Sequence, residues 1–171
     1  MKYTVYNDEV LLTDETVTRI TGEDVALLKS LALKTERRRI RLCAHPRMED
    51  TLHEMIIVLP RGTYVRPHKH LGKSESFHII EGRMKVFLFD DDGSVRDILP
   101  MSTIDSGANI YYRLSESQFH TAVPETPLVV FHEVTNGPFH REDTHYAPWA
   151  PDEKDMESVA RFRHERTDIY G

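Results

Sequence analysis

The sequence predicts an all-β fold, an antiparallel barrel or sandwich with a short strand and helix extension before it and a charged tail after it. Two observations carry this prediction. Between Ile40 and Val134, short β-rich runs recur at close intervals, separated by turn signals. Within the same stretch no segment shows sustained helical periodicity, and many short strands with few helices indicate a sandwich or barrel.

The elements follow in chain order. Residues 1–21 are rich in Val, Thr and Tyr and read as one or two short strands. Thr21-Gly22-Glu23-Asp24 offers a helix start, and Val25, Leu27, Leu28, Leu31 and Leu33 give the helix a rough apolar stripe. Arg37, Arg38, Arg39 and Arg41 form a basic cluster at its end. This reads as a solvated helix end, with contact to an anionic ligand as the sharper alternative. The β-rich runs are His53–Leu59, Gly62–Arg66, Glu75–Ile80, Met84–Phe89, Val95–Leu99, Asn109–Leu114, Phe119–Val123 and Leu128–Val134. Asp90-Asp91-Asp92-Gly93 marks a tight turn between two of them. From Ala147 to Gly171 the chain is charged, opens on Pro148 and Pro151, and is expected to wrap the surface and to be partly disordered. The expected organisation is an extension over residues 1–36, a barrel over 37–146 and a tail over 147–171.

Composition excludes several functions. The 171 residues are 39% hydrophobic and 29% charged, an ordinary globular balance. The formal net charge of -6 gives no basic face for nucleic acid. No apolar run approaches membrane-spanning length, so no membrane partner is expected. The single cysteine, Cys43, permits no internal disulfide and reads as a small buried apolar residue. No apolar leader follows Met1, and the cytoplasm is the expected compartment.

The chemistry is concentrated between Gly62 and Gly82. His68 and His70 are two residues apart, which on a strand places both imidazoles on one face. Glu75 opens the next strand after a short turn. Two neutral imidazoles and a carboxylate suit one divalent ion of Fe, Mn, Zn, Ni or Co. His120, on a distant apolar strand, is the candidate fourth ligand. Strand parity adds Tyr64 and Arg66 to the face of His68 and makes them the candidate catalytic pair, with Arg66 able to grip a carboxylate or phosphate through a bidentate fork. The same parity adds Phe77 and Ile79 to the face of Glu75. Arg41 and His45 are further candidates at the pocket mouth. Alternate residues of Tyr111, Tyr112 and Arg113 are expected to face inward. His78 has the opposite parity from Glu75 and reads as structural. His53, His132, His140, His145 and His164 have no ligand spacing.

Gly62, His68, His70, Glu75 and Gly82 match the pattern Gly-x5-His-x-His-x4-Glu-x6-Gly, and in this the chain resembles the cupins, whose first motif it is. The second cupin motif reads Gly-x5-Pro-x-Gly-x2-His-x3-Asn. Here Gly107 and His120 remain, Ser115 and Ser117 stand where Pro and Gly would, two extra residues separate Gly107 from His120, and Pro124 replaces Asn. Tyr64 to His70, the Phe89-to-Gly93 turn, Gly137-Pro138-Phe139 and Ala147 to Pro151 further resemble the WbuC-like cupin-fold metalloproteins, over roughly residues 39–153. The resemblance implies a cupin jelly-roll β-barrel, one metal ion, and a sugar or sugar-nucleotide substrate in surface-polysaccharide biosynthesis. For such a substrate it suggests isomerase or epimerase chemistry. A non-catalytic binding cupin and an Fe(II)-dependent dioxygenase are the alternatives. By the same analogy, residues 1–21 are expected to add to a partner's sheet in a homodimer.

Overall fold

The computed structural model describes residues 1–171. Twelve strands form two sheets, in the chain order β1 (Thr4–Asn7), β2 (Val10–Leu12), β3 (Ile40–Cys43), β4 (Leu52–Pro60), β5 (His68–His70), β6 (Glu75–Glu81), β7 (Arg83–Phe89), β8 (Val95–Ser102), β9 (Tyr111–Leu114), β10 (Phe119–Pro124), β11 (Leu128–Asn136) and β12 (Thr144–Tyr146). One sheet has the order β1-β2-β3-β4-β11-β6-β9, the other β12-β5-β10-β7-β8. From β4 to β11 the chain passes back and forth between the sheets. This gives two facing four-stranded blocks, β4-β11-β6-β9 and β5-β10-β7-β8, which is the jelly-roll arrangement. All pairings inside these blocks are antiparallel. The extension is integral to the larger sheet, because β2 pairs with β3 in parallel register.

Alternation along the strands decides what fills the space between the sheets. Met55, Ile57 and Leu59 of β4, Phe77 and Ile79 of β6, and Val129 and Phe131 of β11 point inward. They meet Met84 and Val86 of β7 and Ala122 of β10 in one buried cluster. The opposite face of the larger sheet is covered by helix α1 (Gly22–Ala32), whose Leu28 and Ala32 pack with Ile40, Leu42, Ile56, Val58 and Val130. The helix starts where the sequence indicates. Thr21 caps it, Asp24 N–H donates to Thr21 Oγ1 at 3.4 Å, and Thr21 N–H donates to Asp24 Oδ2 at 2.8 Å.

The tail departs from expectation. It carries helices α2 (Met156–Glu165) and α3 (Thr167–Tyr170), which cover the outer face of the smaller sheet. Phe87, Phe89 and Phe119 of that face are buried with Ala147, Ala150 and Ile169, and Trp149, Phe162 and Tyr170 pack against them. Asp155 caps α2 by accepting a hydrogen bond from Ser158 N–H at 3.0 Å. Burying each such aromatic or aliphatic side chain contributes about 1.5–3 kcal/mol, which offsets the ordering of a charged segment.

Two further expectations are corrected. Gly62–Arg66 forms no strand. Thr63 N–H closes a turn onto Pro60 O at 3.1 Å, and Arg66 N–H donates to the Glu153 carboxylate at 3.3 Å. These residues have no neighbouring backbone to pair with, and the strand begins only at His68. The basic cluster is not a uniform solvated face. Arg37 and Arg39 are both ion-paired to Glu9 and Glu153, which ties the β1–β2 turn to the tail. Gly82, at the β6–β7 turn, has φ +84°, and a Cβ there would lie 2.4 Å from Leu128 O. Glycine is required at that position.

Candidate metal centre

Two adjacent strands bring the histidines together, and a third flanks them. In the smaller sheet β10 lies beside β5 with His120 opposite His68, and β12 lies on the other side with Thr144 opposite His70. The ring centroids of His68 and His120 are 4.6 Å apart, those of His68 and His70 4.9 Å, and those of His70 and His120 5.8 Å. One ligand atom from each ring falls within 4.8 Å of the others, a grouping able to hold a metal ion.

The chain fixes which nitrogens these are. His68 Nδ1 is 2.8 Å from Arg66 O and His120 Nδ1 is 2.9 Å from Gln118 O. A carbonyl oxygen only accepts, so both Nδ1 atoms carry the proton, and Nε2 of each neutral ring keeps its lone pair. His70 Nδ1 is held at 3.2 Å by Thr144 Oγ1. Such outer contacts orient metal-binding imidazoles.

Glu75 reaches the cluster from the facing sheet. Its Oε1 lies 3.0 Å from His120 Nε2 and its Oε2 3.6 Å from His70 Nε2. The carboxylate is buried and accepts a hydrogen bond from the Tyr112 hydroxyl. Despite the nearness of Glu75, His120 Nε2 is buried and makes no hydrogen bond. A divalent cation fits this donor set. A buried ring nitrogen without a partner, two more imidazoles and an anionic oxygen face one region, and hard-to-borderline divalent ions take N and O ligands together. A bound cation would also compensate the buried carboxylate.

The electrostatics follow from burial and proximity. His68 is pushed down to about 3 by burial, then by the neighbouring rings of His120 and His70. Burial also lowers His70, against the attraction of Glu75. For Glu75, burial acts upward, but His120 and the Tyr112 hydroxyl outweigh it and hold the carboxyl below its ordinary range. For His120, burial acts downward and is the largest single effect, but the charge and closeness of Glu75, the Gln118 carbonyl and the charge of Glu133 together outweigh it and move the ring up.

Beside this cluster lies a cavity of about 260 Å³ between the sheets. His70 forms part of its wall, with Arg41, His45, Met55, Lys73 and Glu133 among the other lining residues. The expectation that Tyr64 and Arg66 turn toward the histidines is not met. The Tyr64 hydroxyl donates to Pro151 O at 3.1 Å and its ring lies against Phe162 and Tyr170, beneath the tail. The Arg66 guanidinium pairs with Asp152 at 3.0 Å and lies over the Tyr146 ring. Parity fails here because residues 63–67 are not a strand. Arg41 and His45 do line the cavity. Tyr112 faces inward and Tyr111 outward, and His78 is exposed on the outer face.

Glu133 and His53 are the residues that sequence reading misses. His53 stacks on His45 with ring centroids 3.9 Å apart. Glu133 sits on β11 between Met55 of β4 and Phe77 of β6. Its carboxyl is raised above the ordinary range, first by burial and then by the charge of Glu75. The available signal was alternation, since Val129, Phe131, Glu133 and Thr135 share one face of β11.

A family model described as "Domain of unknown function (DUF6016)" matches residues 20–101. No curated protein matches the sequence. Among solved structures, a protein from Shewanella oneidensis is similar at a TM-score of 0.52 and 7% identity, over 75% of this chain and 79% of that one. KdgF from a Halomonas species is similar at 0.45 and 17% identity, over 61% and 82%. A cupin-superfamily sugar phosphate isomerase from Silicibacter pomeroyi is similar at 0.40 and 17%, over 52% of each chain. The likeness is one of fold, the two-sheet jelly roll described above. No helix is long and apolar enough to cross a membrane.

Proposed function

We propose that His68, His70, Glu75 and His120 hold one divalent metal ion, and that the chain acts on a small polar molecule seated in the adjoining cavity. The observation that carries this reading is the convergence of three Nδ1-anchored imidazoles and a buried carboxylate beside a cavity whose wall includes His70. The bound ion would supply Lewis-acid polarisation of a carbonyl or hydroxyl oxygen. Glu133 is suited to proton transfer, because a carboxyl raised above its ordinary range both takes and returns a proton near neutrality. Together these favour isomerisation or epimerisation next to a carbonyl. Glu133 would take a proton from one carbon and return it to a neighbouring carbon or to the opposite face. Glu133 thereby takes the place among the candidate catalytic residues that strand parity gave to Tyr64. The resemblance to WbuC-like cupins accords with a sugar or sugar-nucleotide substrate in surface-polysaccharide biosynthesis.

Titration of the metal-free chain with Co(II), read by visible absorption, tests the ligand set. Wild type should saturate at one equivalent, and His120→Ala should bind more weakly, while the outward-facing His78→Ala should match wild type. Full affinity in His120→Ala would reduce the set to three residues and leave His120 as a proton carrier.

A further inference from the structure

The charged residues of the cavity are not equally engaged. Lys73 pairs with Asp143 at 2.9 Å and donates to Pro138 O at 2.6 Å. Arg37 and Arg39, just before Arg41 in the chain, are both bound to carboxylates. Arg41 pairs with no acid. The polar contact of its guanidinium is Met55 Sδ at 4.0 Å. A partly buried guanidinium has five donors in a fixed fork and is costly to leave unmet.

Register places this group on the cavity wall. Arg41 lies opposite Val10 and Ile57, and the next inward row holds Cys43, Met55 and Glu133. The row after that brings Thr135 beside Glu75. The cavity thus runs from the unpaired guanidinium, past Glu133, to His70. Its rim adds neutral donors. Asn7 Oδ1 is taken by Glu9 N–H and Asn136 Oδ1 by Ser74, which leaves both side-chain Nδ2 groups free to donate.

We propose that this cavity binds a small hydroxylated carboxylate, with the carboxylate held by Arg41 and the hydroxyls met by the neutral donors of the rim. The assignment rests on the cavity being the substrate site of the metal centre, and it names the substrate class of that site. A singly charged carboxylate matches one free guanidinium and its bidentate geometry. A phosphate monoester carries nearly two charges, and the only other cation here, Lys73, is already paired with Asp143.

Gluconate, glucose and inorganic phosphate are the probes, titrated by NMR against the zinc-loaded chain and against the chain in EDTA. Gluconate should saturably shift the Arg41 Nε–Hε resonance, and glucose should not. Arg41→Gln should weaken gluconate binding about tenfold or more, since a hydrogen bond to a charged group contributes about 1.5–3 kcal/mol. Arg41→Lys should retain part of the binding, and zinc uptake should be unchanged in both variants. The wild-type resonance reads the contact directly even where a variant folds poorly. Equal binding of glucose, equal binding by Arg41→Gln, or no saturable gluconate binding would each overturn the assignment. Arg41-dependent binding of phosphate alone would replace carboxylate by phosphate. Arg41-dependent gluconate binding in a chain that takes up no metal would sink the metal reading and leave this one standing; zinc uptake without it would do the reverse.

Discussion

Removing the Tyr112 hydroxyl should weaken the metal site without disturbing the fold. Tyr112 is buried on β9, donates to Glu75 Oε1, and packs edge-on against Phe77 with ring centroids 5.0 Å apart. Tyr112→Phe deletes one oxygen, keeps the ring packing, and leaves Glu75 with one donor fewer. A hydrogen bond to a charged group contributes about 1.5–3 kcal/mol, and loss of an outer contact to a metal ligand typically lowers metal affinity about 10–100-fold. At a fixed excess of metal, each tenfold loss of affinity removes about 1.4 kcal/mol of metal-dependent stabilisation. For a chain of this length, 1 kcal/mol corresponds to roughly 2–4 °C in Tm. The zinc-induced rise in Tm should therefore be about 3–6 °C smaller in Tyr112→Phe than in wild type for each tenfold loss. A chelator competition titration measures the affinity directly. Equal zinc affinity in the two proteins, with Glu75 still required, would refute the reasoning that Tyr112 orients the carboxylate.

Four other outcomes follow from the structure. Phe89→Ala, at the centre of the cluster beneath the tail, should cost about 3–5 kcal/mol in urea unfolding. Gly93→Ala should cost about 1–3 kcal/mol in the same assay, because Gly93 has φ +90° and the new Cβ would lie 2.8 Å from Trp149 Cδ2. Glu153 is subject to burial, which acts upward, but Arg39, then the Arg66 N–H and Arg37, hold it below its ordinary value of 4.5. Its contribution is therefore present above about pH 4.5 and is lost as pH falls through the depressed value. Glu153→Gln should be about 1–2 kcal/mol less stable than wild type at neutral pH, with the gap closing in acid. β1 forms an open edge of the larger sheet and leaves Val5 and Tyr6 exposed; for the homodimer proposed by analogy through this edge, light scattering should read a monomer for Val5→Lys.

Much of this was legible in the chain, and the reasons are local. Thr21 and Asp24 mark the start of α1 because a capping box needs only residues three apart. His68 and His70 share a face because they lie on one strand, and Gly82 must be glycine because its turn demands a positive φ. What was not legible depends on long-range pairing. Gly62–Arg66 has strand composition, but a strand needs a neighbour, and its backbone is instead held by a turn and by Glu153. Tyr64 and Arg66 were misplaced as a result. The helices of the tail were hidden by charge, although Met156, Val159 and Phe162 recur at helical spacing after a good cap at Asp155. Glu133 could not be placed in the cavity without the registers of β11 against β4 and β6. The free state of Arg41 is visible only once Arg37 and Arg39 are seen to be paired.

The most direct test of the metal-centre reading is the elemental content of the 171-residue chain, purified without added metal and without a metal-binding tag, together with its His68→Ala variant. Four converging ligands predict close to one equivalent of a single divalent transition metal per wild-type chain and almost none in His68→Ala. A wild-type chain that carries no metal as isolated, and takes up none from Mn(II), Fe(II), Co(II), Ni(II) or Zn(II) at micromolar concentrations, would contradict it.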